Sequence, residues 1–568
     1  MIELFLAMVE AMIAWILIAV SFTGTGLWFN KLVLKPSEIT RSVLFDCFWI
    51  GLSLSLIFLQ LWHFLFSINI FAVSIILLSG VSAMIANFKE ISAAITLKPF
   101  QKKHLYVLAS FMFFVLLVTN RIMGAVLDLD TGYFGLPIIE WYRQYPVIPG
   151  LGNLQTCFAF NQVPYLFFAM LENIPSFLPG FRAGNGILTI VLIAQILFNL
   201  VDSKENRAYK LKSIFQGILL TFLIVESLGL FANAACPENM LHCLSIFLAF
   251  KIFELLVESP DEKEKYRIFL IVSLLSASLV TIKISAAIYA IVCVITAWYN
   301  LAGESRKKSV YSLLVRLPLV LVPWIVHGVI LSGYLLFPCY LTALPFDWTI
   351  PQESVRTRAA WIQGWSRVQD HYCFVLDNYN WLPRWFEGIL QSHRHDFTIP
   401  LLATLISLVV IIKNRNKIFK PLLHLAWIGA LGILPVYWFA PDPSYCGGIT
   451  WVMAAALITM SFDILNVKSA WLIALFLIPV ALWPLEIFLG KNDAFPLPEI
   501  IPVKQSSTRK FVTQSGLIVN VTVENHYAWK AEIPVTAYPN PYLRLRVPGD
   551  IASGFISDIK GDGVGVGP

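Results

Sequence analysis

The run His104-Leu-Tyr-Val-Leu-Ala-Ser-Phe-Met-Phe-Phe-Val-Leu-Leu-Val-Thr-Asn-Arg-Ile-Met123 is long and apolar enough for a helix to cross a bilayer, which takes about 20 residues. It gives way to Gly124-Ala-Val-Leu-Asp128-Leu-Asp130-Thr-Gly-Tyr133, where two carboxylates stand two residues apart. Trp141-Tyr142-Arg143-Gln144-Tyr145-Pro146 and Pro149-Gly150-Leu-Gly152-Asn153 follow. This junction decides the fold class. A membrane span opens into a long excursion that is polar but rich in aromatic residues, whereas a bare connector would be shorter and less aromatic.

Working outward, the apolar half of that pattern recurs along the chain. Of 568 residues, 58% are hydrophobic and 13% charged, and mean hydropathy is +0.72. A soluble domain has about a quarter of its residues charged. Candidate spans fall near 4–29, 43–66, 69–87, 104–123, 185–201, 213–232, 239–257, 268–282, 284–300, 310–331, 399–412, 421–440, 448–464 and 469–488, about fourteen in all. The run 268–300 is too long for one helix, and a mid-bilayer Lys283 would be costly. Two shorter helices turning at Thr281-Ile-Lys283 fit it better. Met1-Ile-Glu3 lacks a basic leader, so the first run reads as a retained span. The expected fold is an all-α polytopic membrane protein.

The basic residues are clustered between spans: Lys31, Lys35 and Arg41; Lys89, Lys98, Lys102 and Lys103; Lys204, Arg207, Lys210 and Lys212; Lys263, Lys265 and Arg267; Arg306, Lys307 and Lys308; Lys413, Arg415, Lys417 and Lys420. With fourteen spans all six clusters fall on one side, cytoplasmic by the positive-inside rule. Both termini and the segments 124–184, 332–398 and 489–568 are then outside. The net charge of +6 is therefore a topology signal, not one for nucleic acid. The eight cysteines form no CxxC or metal-type spacing. Cys236, Cys339, Cys373 and Cys446 fall on the outer side, where a disulfide is chemically open. Asp46, Gln60 and His63 read as ordinary interhelical polar contacts.

Within 124–184, residues 135–145 are expected to form a short interfacial helix, with Leu136, Ile139, Trp141 and Tyr142 dipping into lipid. The apolar stretch 165–170 is too short to span. Spacing alone makes Asp128 and Asp130 either a solvated cap or a pair of acids facing a ligand. Glu226 lies inside a span, where an acid is either a site residue or a protonated helix contact. Glu238 opens a span after Pro237, as an ordinary helix start would. Lys283 sits on the outer side against the basic trend. Gln352 to Tyr372 read as an amphipathic helix carrying Arg358, Trp361 and Trp365 at helical spacing, with Arg367 on another face. His393-x-His395 lacks a third ligand in register. After Pro496, Pro498 and Pro502 the character changes. Residues 517–523 and 542–547 alternate as strands, so 489–568 is a small β-rich appendage with a disordered tail, beside a transmembrane domain of 1–488.

An acid in the first large outer loop, just after a span and before an interfacial helix, resembles the GT-C superfamily of polytopic glycosyltransferases. Asp128-x-Asp130-x-Gly132-Tyr133, Trp141, Pro149-Gly150-Leu-Gly152-Asn153 and Phe160-Asn161 look like a group of bacterial GT-C-like multi-pass proteins. So do Asp347-Trp348, Ile362-Gln-Gly-Trp365-Ser-Arg367 and Pro441-Asp442-Pro443. Ser444 stands where that group carries an arginine. The resemblance implies transfer of a sugar from a polyprenyl-phosphate donor to an envelope lipid, glycan or protein acceptor, at the outer face of a bacterial inner membrane. Asp130 or Asp128 would then be the base, with Asp130 preferred and the choice open. Lys283, Arg358 and Arg367 would meet the phosphate, and Glu226, Glu238, Trp365, Tyr133 and Asn153 would contact substrate. Some members use a divalent metal, Mg or Mn, which the two aspartates would hold; others use none. Two other functions remain in play: an envelope-glycan polymerase or ligase, and a lipid or solute transporter or flippase. A transporter is expected to show inverted repeats and midplane polar residues, and neither is legible here.

Overall fold

The computed structural model describes residues 2–34, 38–95, 102–175, 178–201, 206–368, 375–392, 394–467 and 499–557. The helices in chain order are α1 (Ile2–Phe29), α2 (Arg41–His63), α3 (Ile70–Ala86), α4 (Phe88–Ile95), α5 (Lys102–Ile122) and α6 (Leu136–Gln144). Then come α7 (Pro164–Leu171), α8 (Phe181–Val201), α9 (Arg207–Leu228), α10 (Glu238–Phe253), α11 (Glu262–Ile282) and α12 (Ala287–Tyr299). The last six are α13 (Gly303–Ser332), α14 (Gln352–Arg367), α15 (Leu382–Ser392), α16 (Ile399–Lys413), α17 (Lys420–Phe439) and α18 (Gly447–Ile464). Among the described residues eleven helices are long and apolar enough to cross a membrane. The bent pair α3–α4, angled by 75°, makes a twelfth if it counts as one span. Helix α12 has 13 residues, fewer than the ~20 of an ordinary span. The expected span 469–488 lies outside the described residues.

The bundle has two chemically distinct ends. At one, which we call the basic end, Lys31 pairs with Glu90, Arg207 with Asp463 and Lys307 with Glu304. Buried there, Lys251 and Arg267 both grip Asp46, at 2.6 and 2.7 Å. Lys251 also holds Glu254, which Lys212 approaches in turn. Asp46, expected to be an ordinary polar contact, is thus the centre of a charged staple joining α2, α10 and α11. A polar cavity of about 480 Å³ adjoins it.

At the other end the long loops are knitted to helix termini. Val147 N donates to His63 O, Gly150 N to Ile330 O and Val163 N to Thr281 O. Arg121 uses Nε and Nη2 on the carbonyls of Leu228 and Gly229. These bonds satisfy helix C-terminal carbonyls that would otherwise be orphaned. Close helix approach is made by small residues: a Cβ on Gly24 would run into the Gly80 carbonyl, and one on Gly51 into that of Phe22.

The segment 124–184 departs from expectation in one respect. Helix α6 forms as expected, but Leu136, Ile139, Trp141 and Tyr142 are buried in protein, not dipped into lipid. Helix α7 is also wholly buried. Helix α7 packs among α2, α3, α6 and α8, and the C-terminal segment meets α6 where Phe555 contacts Trp141 edge-on. That segment holds β1 (Thr508–Val512), β2 (Ile518–Thr522), β3 (Val535–Thr536), β4 (Leu543–Val547) and β5 (Asp550–Ser557). Strands β1 and β2 pair antiparallel, with Lys510 opposite Asn520; β3 joins β2 in parallel, and β4–β5 is a separate hairpin. Trp529 N donates to Gly132 O and Phe555 N to Pro149 O, and Arg182 reaches Ile501 O. The appendage is therefore built onto the 124–184 loop.

Candidate active site

Asp128 and Asp130 follow the end of α5 and lead into a tight turn, Thr131–Gly135, which runs on into α6. Asp128 is buried, and its Oδ2 accepts from Thr131 N at 2.8 Å and Thr131 Oγ1 at 2.6 Å. It is the capping acid of that turn. Asp130 points the other way, into a cavity of about 280 Å³, and among the described residues none donates a hydrogen bond to it. Both carboxyls are raised above their ordinary range. For Asp128 burial is the main cause, opposed by the Thr131 hydroxyl. Asp130 keeps an exposed surface; its carboxyl is raised, first by the protein packed around it, then by repulsion from Asp128 and Glu238, with Lys283 opposing.

Four other residues singled out in the sequence reach the same cavity: Tyr133, Glu238, Lys283 and Arg358. They come from the first loop, the start of α10, the α11–α12 break and α14. Lys283 occupies the break itself, as its spacing predicts. Its ammonium pairs with Glu238 and lies 3.8 Å from the centre of the Tyr445 ring, a cation–π geometry. Arg358 is 1% exposed. Its Nε donates to Thr156 Oγ1 at 2.8 Å and its guanidinium lies 4.9 Å from the Trp361 ring centre. Its Nη2 is buried without a hydrogen-bond partner. A buried, unpaired guanidinium nitrogen on a cavity wall is costly unless an anion completes it. Burial pushes the Tyr133 phenol up, so it stays neutral beside Arg358.

The rest of the wall is apolar, built from Phe134, Phe160, Leu336, Phe337, Trp361 and Ile362 among others. Phe160, Trp361 and Ile362 stand in quoted motifs or at helical spacing; Phe134, Leu336 and Phe337 do not, because apolar residues near spans look alike before folding. Asn161 and Tyr445 also line it; Asn161 belongs to the quoted Phe160-Asn161, and Tyr445 follows Pro441-Asp442-Pro443 by two residues.

The remaining candidates lie elsewhere. Asn153 is structural: its Nδ2 donates to Trp348 O and Phe555 O. Arg367 donates to the carbonyls of Val375 and Leu376, and Trp365 stacks on Trp361 at 5.2 Å. Neither lines the cavity: Arg367 lies on another face of α14, and Trp365 lies one turn beyond Trp361 on the same face. Glu226 faces His242, with 3.6 Å between Oε2 and Nδ1, and neither lines the cavity. Cys236, on the cavity wall, and Cys446 are buried free thiols and Cys339 an exposed one; Cys373 and His393 lie outside the described residues. Among the described residues no three His, Cys, Asp or Glu side chains stand close enough to hold a metal. Asp128 is engaged by Thr131 and Glu238 by Lys283, so the donor set does not fit the Mg or Mn option.

The class that fold and site define is a multi-pass membrane protein with a mixed cavity, acidic, basic and apolar, at the end opposite its basic loops. The chain belongs to the family described as a domain of unknown function, DUF8201, which it matches over residues 8–451. That range contains all five convergent residues and stops before the β segment. No curated protein and no solved structure matches the chain.

Proposed function

We propose that the protein is a GT-C-like glycosyltransferase acting at the extracytoplasmic face of a bacterial inner membrane, with about fourteen spans and both termini outside. Its donor is a polyprenyl-phosphate-linked sugar, and its acceptor an envelope lipid, glycan or protein. The carrying observation is the convergence of Asp130, Lys283 and Arg358 on one apolar-walled cavity. An amphiphile with an anionic head fits that chemistry: the tail takes the apolar wall, and the phosphate takes the open Nη2 of Arg358 and the Lys283 ammonium.

In the transfer, the acceptor hydroxyl attacks the anomeric carbon and gives its proton to the Asp130 carboxylate. The bond from the anomeric carbon to the phosphate oxygen breaks, and its electron pair leaves with the lipid phosphate. Arg358 and Lys283 stabilise that charge. The raised Asp130 carboxyl suits a general base, since a base works best with a pKa near the working pH. Asp128 caps the turn and keeps Asp130 aimed inward. The same groups would serve an envelope-glycan polymerase or ligase.

A second reading, lipid or solute translocation, draws on the polar cavity at the basic end. Its charges are largely paired with one another, which disfavours it as a transit site. The deciding experiment is Asp130→Asn in protein reconstituted with a radiolabelled polyprenyl-phosphate sugar. Transfer should vanish while the protein stays folded. Full transfer by the variant would remove the base assignment.

A further inference from the structure

Beside the cavity, and outside the chemistry above, two histidines from different helices meet inside the protein. His63 ends α2 and His327 lies near the end of α13, both buried. His63 Nδ1 is 2.9 Å from His327 Nε2. At one end of the pair, His63 Nε2 is 3.2 Å from the carbonyl oxygen of Tyr145. At the other, His327 Nδ1 is 2.8 Å from Asn161 Oδ1. The Asn161 amide cannot be turned round, because its Nδ2 donates to Trp324 O. Trp324 Nε1 donates back to Asn161 O. Asn161, Trp324 and Gly328 are all cavity-wall residues.

The order along this chain is acceptor, ring, ring, acceptor. It has three links, and each needs one proton. Two neutral imidazoles carry only two. The neutral pair can therefore make any two of the three links but never all three: Tyr145, Asn161 or the ring–ring contact is left with two lone pairs face to face. A third proton, taken from solvent onto the free ring lone pair, completes all three links and leaves the pair with one positive charge, shared across the N–N contact. Burial of that charge opposes loading, so the proton enters only on acidification. The titratable group facing the pair is Tyr142 of α6, its ring centre 4.5 Å from His63 and 5.8 Å from His327. Phe64 packs at 6.0 Å from His327. Among the described residues no carboxylate, lysine or arginine acts on either ring.

We propose that His63 and His327 form one proton-binding site, loaded as pH falls, that ties the Tyr145 loop and the Asn161 wall of the cavity together only when loaded. Nothing in this rests on the glycosyltransferase reading.

The test is 15N NMR of protein in lipid nanodiscs labelled only at histidine, followed from about pH 8 to about pH 4.5. Nine histidines keep the spectrum tractable. The pair is assigned by the signals lost in His63→Gln and in His327→Gln. One proton should be taken up jointly by both rings, and either glutamine variant should abolish that uptake. Asn161→Asp puts a counter-charge at the end of the chain and should raise the midpoint by about one pH unit or more. Independent titration of the two rings, no third proton before the protein unfolds, or an unmoved midpoint in Asn161→Asp would each overturn the proposal. If the glutamine variants do not fold, the wild-type and Asn161→Asp spectra decide it alone.

Discussion

Arg358→Ala is expected to separate binding from folding. The wild-type side chain makes one charge-assisted hydrogen bond, to Thr156, and one cation–π contact, to Trp361. Removing them costs about 2–5 kcal/mol of stability. Removing the buried, unpartnered Nη2 returns about 1–3 kcal/mol. The net, from about 1 kcal/mol gained to about 4 kcal/mol lost, leaves a folded protein in most of that range. No such offset exists for an anionic ligand. A lost charge-assisted bond to phosphate is worth about 1.5–3 kcal/mol, or roughly 10- to 150-fold in Kd. The assay is binding of a short-chain prenyl phosphate to protein in nanodiscs, with Tm measured on the same samples. Arg358→Lys keeps the charge without the fork and should fall between. Arg367→Ala should lower Tm without changing Kd, because that guanidinium serves Val375 and Leu376. If Arg358→Ala binds within about twofold of wild type while Tm falls, the guanidinium is structural and the phosphate assignment fails.

Three further outcomes follow from the geometry. The Asp130 carboxyl is raised by its surroundings, then by Asp128 and Glu238. Transfer should therefore rise with pH along a limb at least about one unit above the ordinary carboxylate value near 4, and Asp128→Asn should move that limb down. The stability linkage has the opposite sign: a carboxyl whose folded pKa is raised contributes most below its unfolded pKa, and the contribution is lost as pH rises through the folded one. Thermal melts against pH check this. Asp46→Asn removes the carboxylate shared by Lys251 and Arg267, which keep Glu254 and Glu264, and should cost at most about 3–5 kcal/mol, read as a lowered Tm. In Gly132→Val the new side chain would occupy the space of the Trp529 ring. The β segment should then loosen, seen as faster hydrogen exchange at 505–557 with the helices unchanged.

Much of the site was legible, for identifiable reasons. Lys283 stood out because a basic residue between two apolar runs, on the side poor in basic residues, needs a local cause; the structure supplies Glu238 and Tyr445. Asp130 stood out through the loop around it. Its division of labour with Asp128 was not legible, since two acids at i and i+2 can share a face or split, and the tight turn at Thr131–Gly135 splits them. Arg358 and Arg367 looked equivalent as charges on one helix. Burial against Thr156 distinguishes the first. The His63–His327 pair joins residues 264 positions apart, beyond any local pattern, and His63 therefore read as an ordinary contact. Leu136 and Trp141 were assigned to lipid because an apolar helix face states only that it avoids water. Protein covers it here, and for Trp141 part of the cover is Phe555 of the C-terminal segment.

By itself the sequence determined the solvent. Apolar run length and the placement of lysine and arginine between the runs follow from the cost of exposing backbone and charge to hydrocarbon, and that cost acts locally along the chain. The tertiary structure alone decided which polar groups share a cavity. Asp130, Glu238, Lys283 and Arg358 are brought together by helix ends meeting at one end of the bundle. Their interaction depends on distances and burial that exist only after packing.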